Sequence, residues 1–268
     1  MQLNTWLKLS DEEYHLLENI SFHGLLNCLK SYNHYVSAKA IKKDTPAMRF
    51  GRLAHKMFLE PNEFESLVRV APVVDKRTKE GKAEFKAFQD SCPANSIIID
   101  ADDFNRLMGM KAALQDARNS LNLKWIFDTV ERTEEAMLFN LTDSVIARMK
   151  PDMIGEDYIL DYKTTQDAWI WGFSRTARYS YYDLQLFFYQ KAEMIVSGKK
   201  KQLLILAQES EPPYEFQVYK IDQSFESEAW NIIDIAFNKY ISGLSGEQKG
   251  YPRDIISLDM TRFSGDSL

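Results

Sequence analysis

The spacing of apolar residues predicts that the N-terminal part of the chain is helical. Apolar side chains recur at helical spacing across residues 11–43, with Ser21 as the expected N-cap inside that stretch. The segment AMRFGRLAHKMFLE has an apolar stripe of its own and is expected to end at Pro61. Gly51 and His55 lie four residues apart in this segment, so they share one face of the predicted helix.

The rest of the chain alternates between helical and strand-like patterns. Residues 76–88 and 101–121 are charged and amphipathic, which is typical of helices, and a short apolar segment lies between them. The runs EEAMLFNL, SVIARMKPDMI and YILDYKTT are short and separated by turn-like residues, which predicts an antiparallel meander. A helix that ends at Gly198, two strands (KQLLILAQES and YEFQVYKI) and a helix over residues 225–241 complete the pattern.

These elements predict an α/β fold with a helical N-terminal extension. The sequence contains no internal repeats, low-complexity tracts or obvious linkers. With 268 residues, 45% of them hydrophobic, the chain can bury one large core. We therefore expect a single domain over residues 1–268, in which residues 1–60 form a helical N-terminal part carrying His55 and residues 130–225 form the catalytic sheet core.

The composition and the order of apolar residues indicate in which cellular compartment the protein is expected. No apolar run approaches the roughly 20 residues that span a bilayer, and the polar start lacks the charged-then-apolar order of a signal peptide. A cytoplasmic protein without membrane contact is expected. Two cysteines, Cys28 and Cys92, are too few for a disulfide framework or a four-thiolate metal site, so both are expected to be ordinary thiols.

The formal net charge of −6 argues against nonspecific coating of nucleic acid, but the basic residues are unevenly distributed. Lysines and an arginine cluster over residues 76–86, Arg148 and Lys150 lie close to Asp152, and residues 199–201 are all lysine. Contact with DNA would therefore be local. The lysine triplet is more typical of a solvated turn.

Two acidic residues and a lysine are expected to converge on neighbouring strands. Alternate side chains share a face of a strand, so Asp161 and Lys163 of ILDYK point the same way and Tyr162 points to the other side. On the preceding strand the same rule groups four side chains, those of Ile146, Arg148, Lys150 and Asp152. A short turn around residues 155–157 would bring Asp152 beside Asp161.

This predicted arrangement suits a divalent cation. Carboxylate oxygens are hard ligands that favour Mg²⁺, with Mn²⁺ as a substitute, and both ions keep waters that a phosphate can displace. A phosphodiester is the expected substrate, and Lys163 would orient the attacking water or balance charge in the transition state. Acids and lysines also alternate on many solvent-facing strands, which is the alternative interpretation. ILDYK is otherwise an apolar run, however, and burying a charge costs free energy, so its charged residues are expected to have a function.

The chain resembles the RecE-type (exonuclease VIII-like) 5′ to 3′ double-strand DNA exonucleases, in the RecB-like branch of the PD-(D/E)xK nuclease superfamily. Six segments carry the resemblance in order, namely ISFHGLLNCLKSYNHYVSA, TPAMRFGRLAHKMFLEP, KRTKEGKAEF, KPDMI, ILDYKTT and YYDLQLFFYQKA. Beyond about Ser197 no residue is diagnostic. The resemblance implies a PD-(D/E)xK, restriction-endonuclease-like core with a mixed central sheet flanked by helices.

The resemblance also implies roles for particular residues. The metal ligands would be His55, Asp152, Asp161, the carbonyl of Tyr162, and Glu135. The catalytic set would consist of Lys163, Asp152, Asp161 and His55, with Gln185 and Tyr189 as a Gln-x-x-x-Tyr element. Register leaves Glu134 as an alternative to Glu135. The alternatives to a role in the site are a backbone-bonded helix histidine for His55 and helix packing for Gln185 and Tyr189, while Glu60 has a structural role at a helix end.

A basic segment that contains a glycine can wrap a DNA backbone or a terminal 5′-phosphate. The expected DNA contacts are Arg77, Thr78, Lys79, Lys82, Arg148, Lys150 and Arg175, and the alternative for the first four is a set of solvated helix charges.

By resemblance, the expected activity is metal-dependent 5′ to 3′ resection of linear double-stranded DNA, which leaves 3′ single-stranded overhangs for recombination. The implied setting is a bacterial cell or a phage-infected host. The implied partners are DNA ends, further copies of the chain in a ring-shaped trimer or tetramer, and a single-strand annealing protein. The alternatives are a structure-specific endonuclease of the same fold and a noncatalytic DNA-binding or assembly module.

Overall fold

Helices and strands alternate in the computed structural model, which describes residues 3–41 and 44–257. The helices are α1 (Asp11–Leu16), α2 (Phe22–Lys30), α3 (Tyr32–Ala40), α4 (Pro46–Leu59), α5 (Pro61–Leu67), α6 (Lys79–Ser91), α7 (Ala101–Asn119), α8 (Lys124–Asp128), α9 (Ile170–Tyr179), α10 (Tyr182–Ser197) and α11 (Glu226–Ser245). The strands are β1 (Trp6–Leu7), β2 (Ile20–Ser21), β3 (Val68–Val70), β4 (Ile97–Ile99), β5 (Val130–Thr133), β6 (Ala136–Thr142), β7 (Val145–Met149), β8 (Met153–Gly155), β9 (Tyr158–Thr165), β10 (Gln202–Glu209) and β11 (Phe216–Lys220).

A five-stranded sheet forms the centre of the molecule, in the order β11-β10-β9-β8-β5. The pair β9–β10 is parallel and the other neighbours are antiparallel, so the sheet is mixed, as predicted. A parallel pair needs a crossover connection, which α9 and α10 supply. The helical and strand patterns around this sheet confirm the predicted α/β fold class.

The two faces of the central sheet are buried in different apolar clusters. Ile159 and Ile205 belong to a cluster that includes side chains of α2, α10 and α11. Leu160 and Leu206, one residue further along each strand, belong to a second cluster with side chains of α4 and α7. Because both faces are covered, β9 and β10 are nearly continuous apolar runs, and any charged residue on them is surrounded by protein.

The predicted meander divides between two sheets. β6 and β7 lie in a four-stranded sheet of order β1-β6-β7-β2, whereas β8 and β9 lie in the central sheet. The division falls at Lys150-Pro151-Asp152, where proline lacks the N–H that a continuing ladder requires. The N-terminal part contributes β1 and β2 to the four-stranded sheet, so it is not purely helical.

The predicted long helix over residues 11–43 consists of three shorter helices, and residues 42–43 lie outside the described residues. Ser21 caps α2 as predicted, by accepting a hydrogen bond from Gly24 N. Ser31, in an extended conformation, ends α2 and caps α3. A second predicted helix divides at Tyr181, which has a φ of 57°, and ends at Gly198 as expected. Pro61 begins α5 rather than simply stopping α4.

The helices that the structure describes include none with the length and apolar character needed to cross a membrane. Cys28 and Cys92 are both free thiols.

Candidate active site

The central strand β9 places an acid and a base on one face. Asp161 is 1% exposed, and Lys163 Nζ lies 2.6 Å from its Oδ2 atom. Tyr162 points to the opposite face, where its ring packs against Phe58 of α4. Strand alternation in ILDYK is therefore confirmed. The Asp161 Oδ2 atom is buried and has an ion pair but no aligned hydrogen bond, so it has capacity for a further partner.

Asp152 immediately precedes β8 and lies beside β9. Met153 of β8 pairs with Leu160 of β9. Because the two strands are antiparallel, the residue before Met153 lies opposite the residue after Leu160, which brings Asp152 opposite Asp161. Tyr162 N donates a hydrogen bond to Asp152 Oδ2 at 2.6 Å. His55 of α4 reaches the same carboxylate, with its Nδ1 atom 3.5 Å from Asp152 Oδ2. The distant helix α4 and the neighbouring strands β8 and β9 therefore meet at one point.

Glu134, the alternative that register left open, lies beside His55 and Asp152, whereas the predicted ligand Glu135 pairs with Arg132. Metal binding by either glutamate stays a prediction. Potential ligand atoms of His55, Glu134 and Asp152 all lie within 4.8 Å of one another. Glu134 N also donates to the Asp152 carbonyl oxygen at 3.1 Å. Glu135 instead forms an ion pair with Arg132 at 2.9 Å. The physical reason is that Glu134 has a φ of 53° in the bend between β5 and β6, which interrupts strand alternation.

Gln185 and Tyr189 form a hydrogen-bonded support behind the lysine. Lys163 Nζ donates to Gln185 Oε1 at 3.4 Å, and Gln185 Nε2 donates to the Tyr189 hydroxyl at 2.9 Å. Both residues of α10 are buried. The ring of Tyr182 lies 4.7 Å from Lys163 Nζ. Sequence reasoning missed Tyr182, although its position three residues before Gln185 places it on the same helix face.

Burial and neighbouring charges shift the pKa values of the titratable groups in the site. Burial raises the pKa of Asp161 to about 6 against the opposing charge of Lys163. Burial and repulsion from Asp152 raise the pKa of Glu134 to about 7. Burial would also raise the pKa of Asp152, but the charge and hydrogen bond of His55 hold it below its usual range. Burial lowers the pKa values of His55 and Lys163, but the neighbouring carboxylates raise both by a larger amount.

These residues fit a divalent cation. His55, Glu134 and Asp152 provide a nitrogen and two hard oxygens within reach of one ion, and Asp161 adds a buried oxygen with capacity for another bond. A cation would also relieve the repulsion that raises the Glu134 pKa. The Tyr162 carbonyl as a ligand stays a prediction.

Two basic residues near the site contact α1 and its C-terminal end, and their predicted contact with DNA stays a prediction. Arg148 Nη1 donates hydrogen bonds to the carbonyl oxygens of Tyr14 and Leu17. Lys150 Nζ lies 2.6 Å from Asp11 Oδ1 and 2.9 Å from a Glu134 carboxylate oxygen, Oε2. Because these cations are already paired, they are poorly available to phosphate.

The remaining predicted DNA contacts lie on exposed helix ends and faces. Thr78 is the N-cap of α6, and its hydroxyl accepts from Gly81 N, so the segment is a helix start rather than a flexible loop. Arg77 is 92% exposed and pairs with Asp75. Lys79, Lys82 and Arg175 are exposed. Contact of these residues with DNA stays a prediction.

Two further residues have structural partners. Glu60 is the C-cap of α4, as its predicted structural role requires, and pairs with Lys56 at 2.9 Å. Lys201 of the lysine triplet is buried rather than solvated, and it pairs with Glu193 at 3.0 Å.

The raised carboxyl pKa values predict a pH-dependent response to metal. Asp161 and Glu134 bind protons more tightly in the folded chain than in the unfolded one, so without metal the free energy of unfolding falls as pH rises from about 4.5 to 7. The His55–Asp152 pair acts in the same direction, because it weakens once His55 loses its proton at higher pH. A saturating divalent cation is therefore expected to raise the melting temperature by about 5 °C or more at pH 8 and by much less at pH 5.5.

Thermal denaturation with Mn²⁺ or with a chelator at the two pH values measures this effect. Glu134→Gln should reduce the metal-induced shift at pH 8, and its neighbour Glu135→Gln should keep it. An equal shift at both pH values, or a larger one at pH 5.5, would contradict the assignment of these carboxylates.

Fold and site together define a PD-(D/E)xK-type α/β protein. The sequence profile of the family described as "PDDEXK-like domain of unknown function (DUF3799)" matches residues 20–252, and the chain belongs to this family.

A solved structure has a similar fold. The chain is similar to a candidate exonuclease from Eubacterium rectale, with a TM-score of 0.62 and 15% identity over 94% of this chain and 97% of that one. A weaker similarity, with a TM-score of 0.28 and 14% identity, covers 50% of this chain and 72% of an alkaline exonuclease from Laribacter hongkongensis. Comparison with curated proteins finds no match.

Proposed function

We propose that the protein is a divalent-metal-dependent nuclease that resects linear double-stranded DNA in the 5′ to 3′ direction and leaves 3′ single-stranded overhangs. The observation that carries the proposal is the convergence of His55, Glu134 and Asp152 beside the Asp161–Lys163 pair. Buried carboxylates beside a histidine and an ammonium are the group that metal-assisted phosphodiester hydrolysis requires. Membership of a PDDEXK-like family supports the same chemistry.

Lys163 supplies a fixed positive charge. Its raised pKa keeps the ammonium protonated at neutral pH, so it acts as a charge and a hydrogen-bond donor rather than as a base. Asp161, Gln185 and the Tyr182 ring hold Nζ from three sides. Such a preorganised donor stabilises negative charge that develops on a phosphate, and it can orient an attacking water.

The carboxylates and His55 would hold the metal, with Mg²⁺ as the proposed ion and Mn²⁺ as a substitute. When bound, the ion supplies Lewis acidity toward the phosphoryl oxygen and a lower pKa for a coordinated water. Tyr162 N fixes one orientation of Asp152 through its hydrogen bond. The tilted contact between the rings of His55 and Tyr162, whose centroids are 5.0 Å apart, fixes the imidazole. These contacts preorganise the ligands.

The 5′ to 3′ direction of digestion, the requirement for a DNA end and the assembly of several chains are also proposed. They are supported by the resemblance to the RecE-type enzymes in the segments from ISFHG to QKA. The same resemblance supports a ring-shaped homo-oligomer and a single-strand annealing protein as partners.

Linear duplexes labelled at the 5′ or the 3′ end, together with a covalently closed circle, test this proposal. With Mg²⁺, early release of the 5′ label as mononucleotide, later release of the 3′ label and an intact circle are expected. Chelator should abolish all release. Nicking of the closed circle would indicate a structure-specific endonuclease instead. DNA binding without hydrolysis in Mg²⁺ or Mn²⁺ would indicate a noncatalytic module.

A further inference from the structure

An exposed aromatic surface lies at the start of α9. Trp169 is 66% exposed and Trp171 is 72% exposed, and their rings meet edge to face with centroids 6.4 Å apart. Tyr179, at the other end of α9, is 72% exposed. Large aromatic side chains stabilise a fold or a complex most when other groups cover them. A group of them exposed to solvent therefore indicates a binding surface.

The segment that presents these tryptophans is firmly anchored. Asp167 Oδ1 accepts a hydrogen bond from Trp169 N at 2.9 Å, and Glu209 Oε1 accepts one from Ala168 N at 3.1 Å. The Tyr219 hydroxyl donates to the Ala168 carbonyl at 2.5 Å. Gly172 allows this packing, since a Cβ atom there would lie 1.8 Å from Asp167 Oδ2. The tryptophans are therefore held in place rather than displayed on a loose loop, which lowers the entropy cost of binding.

Basic residues share the outer face of α9 with the aromatic ones. Trp171, Arg175 and Tyr179 follow at intervals of four, and Arg178 lies next to Tyr179. All four are exposed, while Phe173 is buried on the inner face. Within the described part of the chain, neither Arg175 nor Arg178 has a carboxylate within 4.0 Å. Exposed aromatic rings on the same helix face as such guanidinium groups match a chain of stacked bases linked by phosphates.

This surface is connected to the candidate active site by direct packing. The Phe173 ring on the inner face of α9 lies 6.2 Å from the Tyr182 ring, which in turn lies 4.7 Å from Lys163 Nζ. An α-helix is about 10 Å across, so the outer face of α9 lies within a few nucleotides of the site. A strand that leaves or enters the site can reach it.

We propose that Trp169, Trp171 and the arginines of the outer face of α9 form a stacking platform for single-stranded DNA beside the active site. The proposal rests on the proposed nuclease function and adds the substrate form that this surface recognises. The platform would hold unpaired bases of a strand separated at the duplex end. Single-stranded DNA fits better than a protein partner, because the surface combines flat aromatic faces with unpaired cations instead of a continuous aliphatic patch.

Binding of labelled DNA to the full chain, measured by fluorescence anisotropy, tests the platform. Chelator in the buffer prevents cleavage of the DNA. The probes are a labelled oligo(dT) and a blunt duplex of the same length. The double variant Trp169→Ala/Trp171→Ala is expected to bind oligo(dT) more weakly by about tenfold or more. Its affinity for the duplex should fall by less than about threefold. Trp171→Tyr, which keeps an aromatic face, and Phe225→Ala, which removes an exposed ring elsewhere, should stay within about threefold of the parent chain. Arg175→Ala should reduce the salt dependence of oligo(dT) binding by about 0.7 in the logarithmic slope.

The outcomes separate the platform from the nuclease proposal. Wild-type tryptophan fluorescence should be quenched by oligo(dT), which gives a readout that does not depend on how well the alanine variant folds. Unchanged oligo(dT) affinity with intact nuclease activity would overturn the platform alone. A loss of oligomeric state in size-exclusion chromatography without a loss of oligo(dT) affinity would also overturn it, and would assign the surface to a protein interface. Tryptophan-dependent binding without any hydrolysis in metal would support the platform and overturn the nuclease proposal.

Discussion

Lys163→Met is expected to lower kcat on linear duplex DNA by about 1,000-fold or more, which corresponds to about 4 kcal/mol of transition-state stabilisation. Methionine has nearly the length of lysine but no charge, so the change removes the ammonium and little volume. Lys163 is the cation that faces Asp161 and the proposed position of the phosphate. Initial rates at saturating DNA measure the effect.

Lys191→Met is the matched control for this variant. Lys191 also lies on an aromatic ring, 4.3 Å from the centroid of Trp230, but it is on another surface of α10. Its replacement should leave kcat within about twofold. The Lys163 variant should retain the metal-induced rise in melting temperature at pH 8, since it keeps all four proposed metal-binding side chains. Activity within tenfold of the parent chain would remove Lys163 from the mechanism.

Glu134→Gln is expected to lower activity at limiting metal by about 100-fold or more, while Glu135→Gln lowers it by less than about threefold. The side chain of Glu134 lies with His55 and Asp152, and amide replacement removes its charge without changing its size. Glu135 pairs with Arg132 outside this cluster. Losing a charged metal ligand weakens metal affinity by more than the 10 to 100-fold typical of supporting residues.

Titration of activity with Mg²⁺ measures the apparent metal affinity of both glutamate variants. High metal should restore part of the Glu134→Gln activity, because the remaining ligands are intact. The reverse ranking of the two variants would mean that the turn before β6 takes another conformation with metal bound.

The parts of the site that follow from local periodicity could be predicted from the sequence. Strand alternation in ILDYK correctly separates Asp161 and Lys163 from Tyr162, because successive side chains of a strand point to opposite faces of the sheet. The helix that carries His55 also follows from its apolar stripe and from Pro46 at its first turn. Both features depend on residues within a few positions of each other.

The parts that depend on backbone irregularity or distant contacts could not be predicted. The left-handed backbone conformation of Glu134 turns its side chain, rather than that of Glu135, toward His55 and Asp152. Strand alternation in the sequence gives no sign of such a bend. Pro151 divides the meander, yet a proline at a strand end is also compatible with a continuing edge strand. Arg148 and Lys150 bind residues more than 130 positions away, so their pairing with α1 is invisible in any local pattern.

Anomalous diffraction from crystals of the protein with Mn²⁺ tests whether the residues of the candidate active site bind a metal ion, because it locates the ion without relying on activity. We expect an anomalous peak from an ion bound by carboxylate oxygens of Asp152 and Asp161, with His55 and Glu134 as the neighbouring ligands and Lys163 Nζ beside it. A peak at another cluster, or an empty site at a Mn²⁺ concentration that supports DNA hydrolysis, would contradict this expectation.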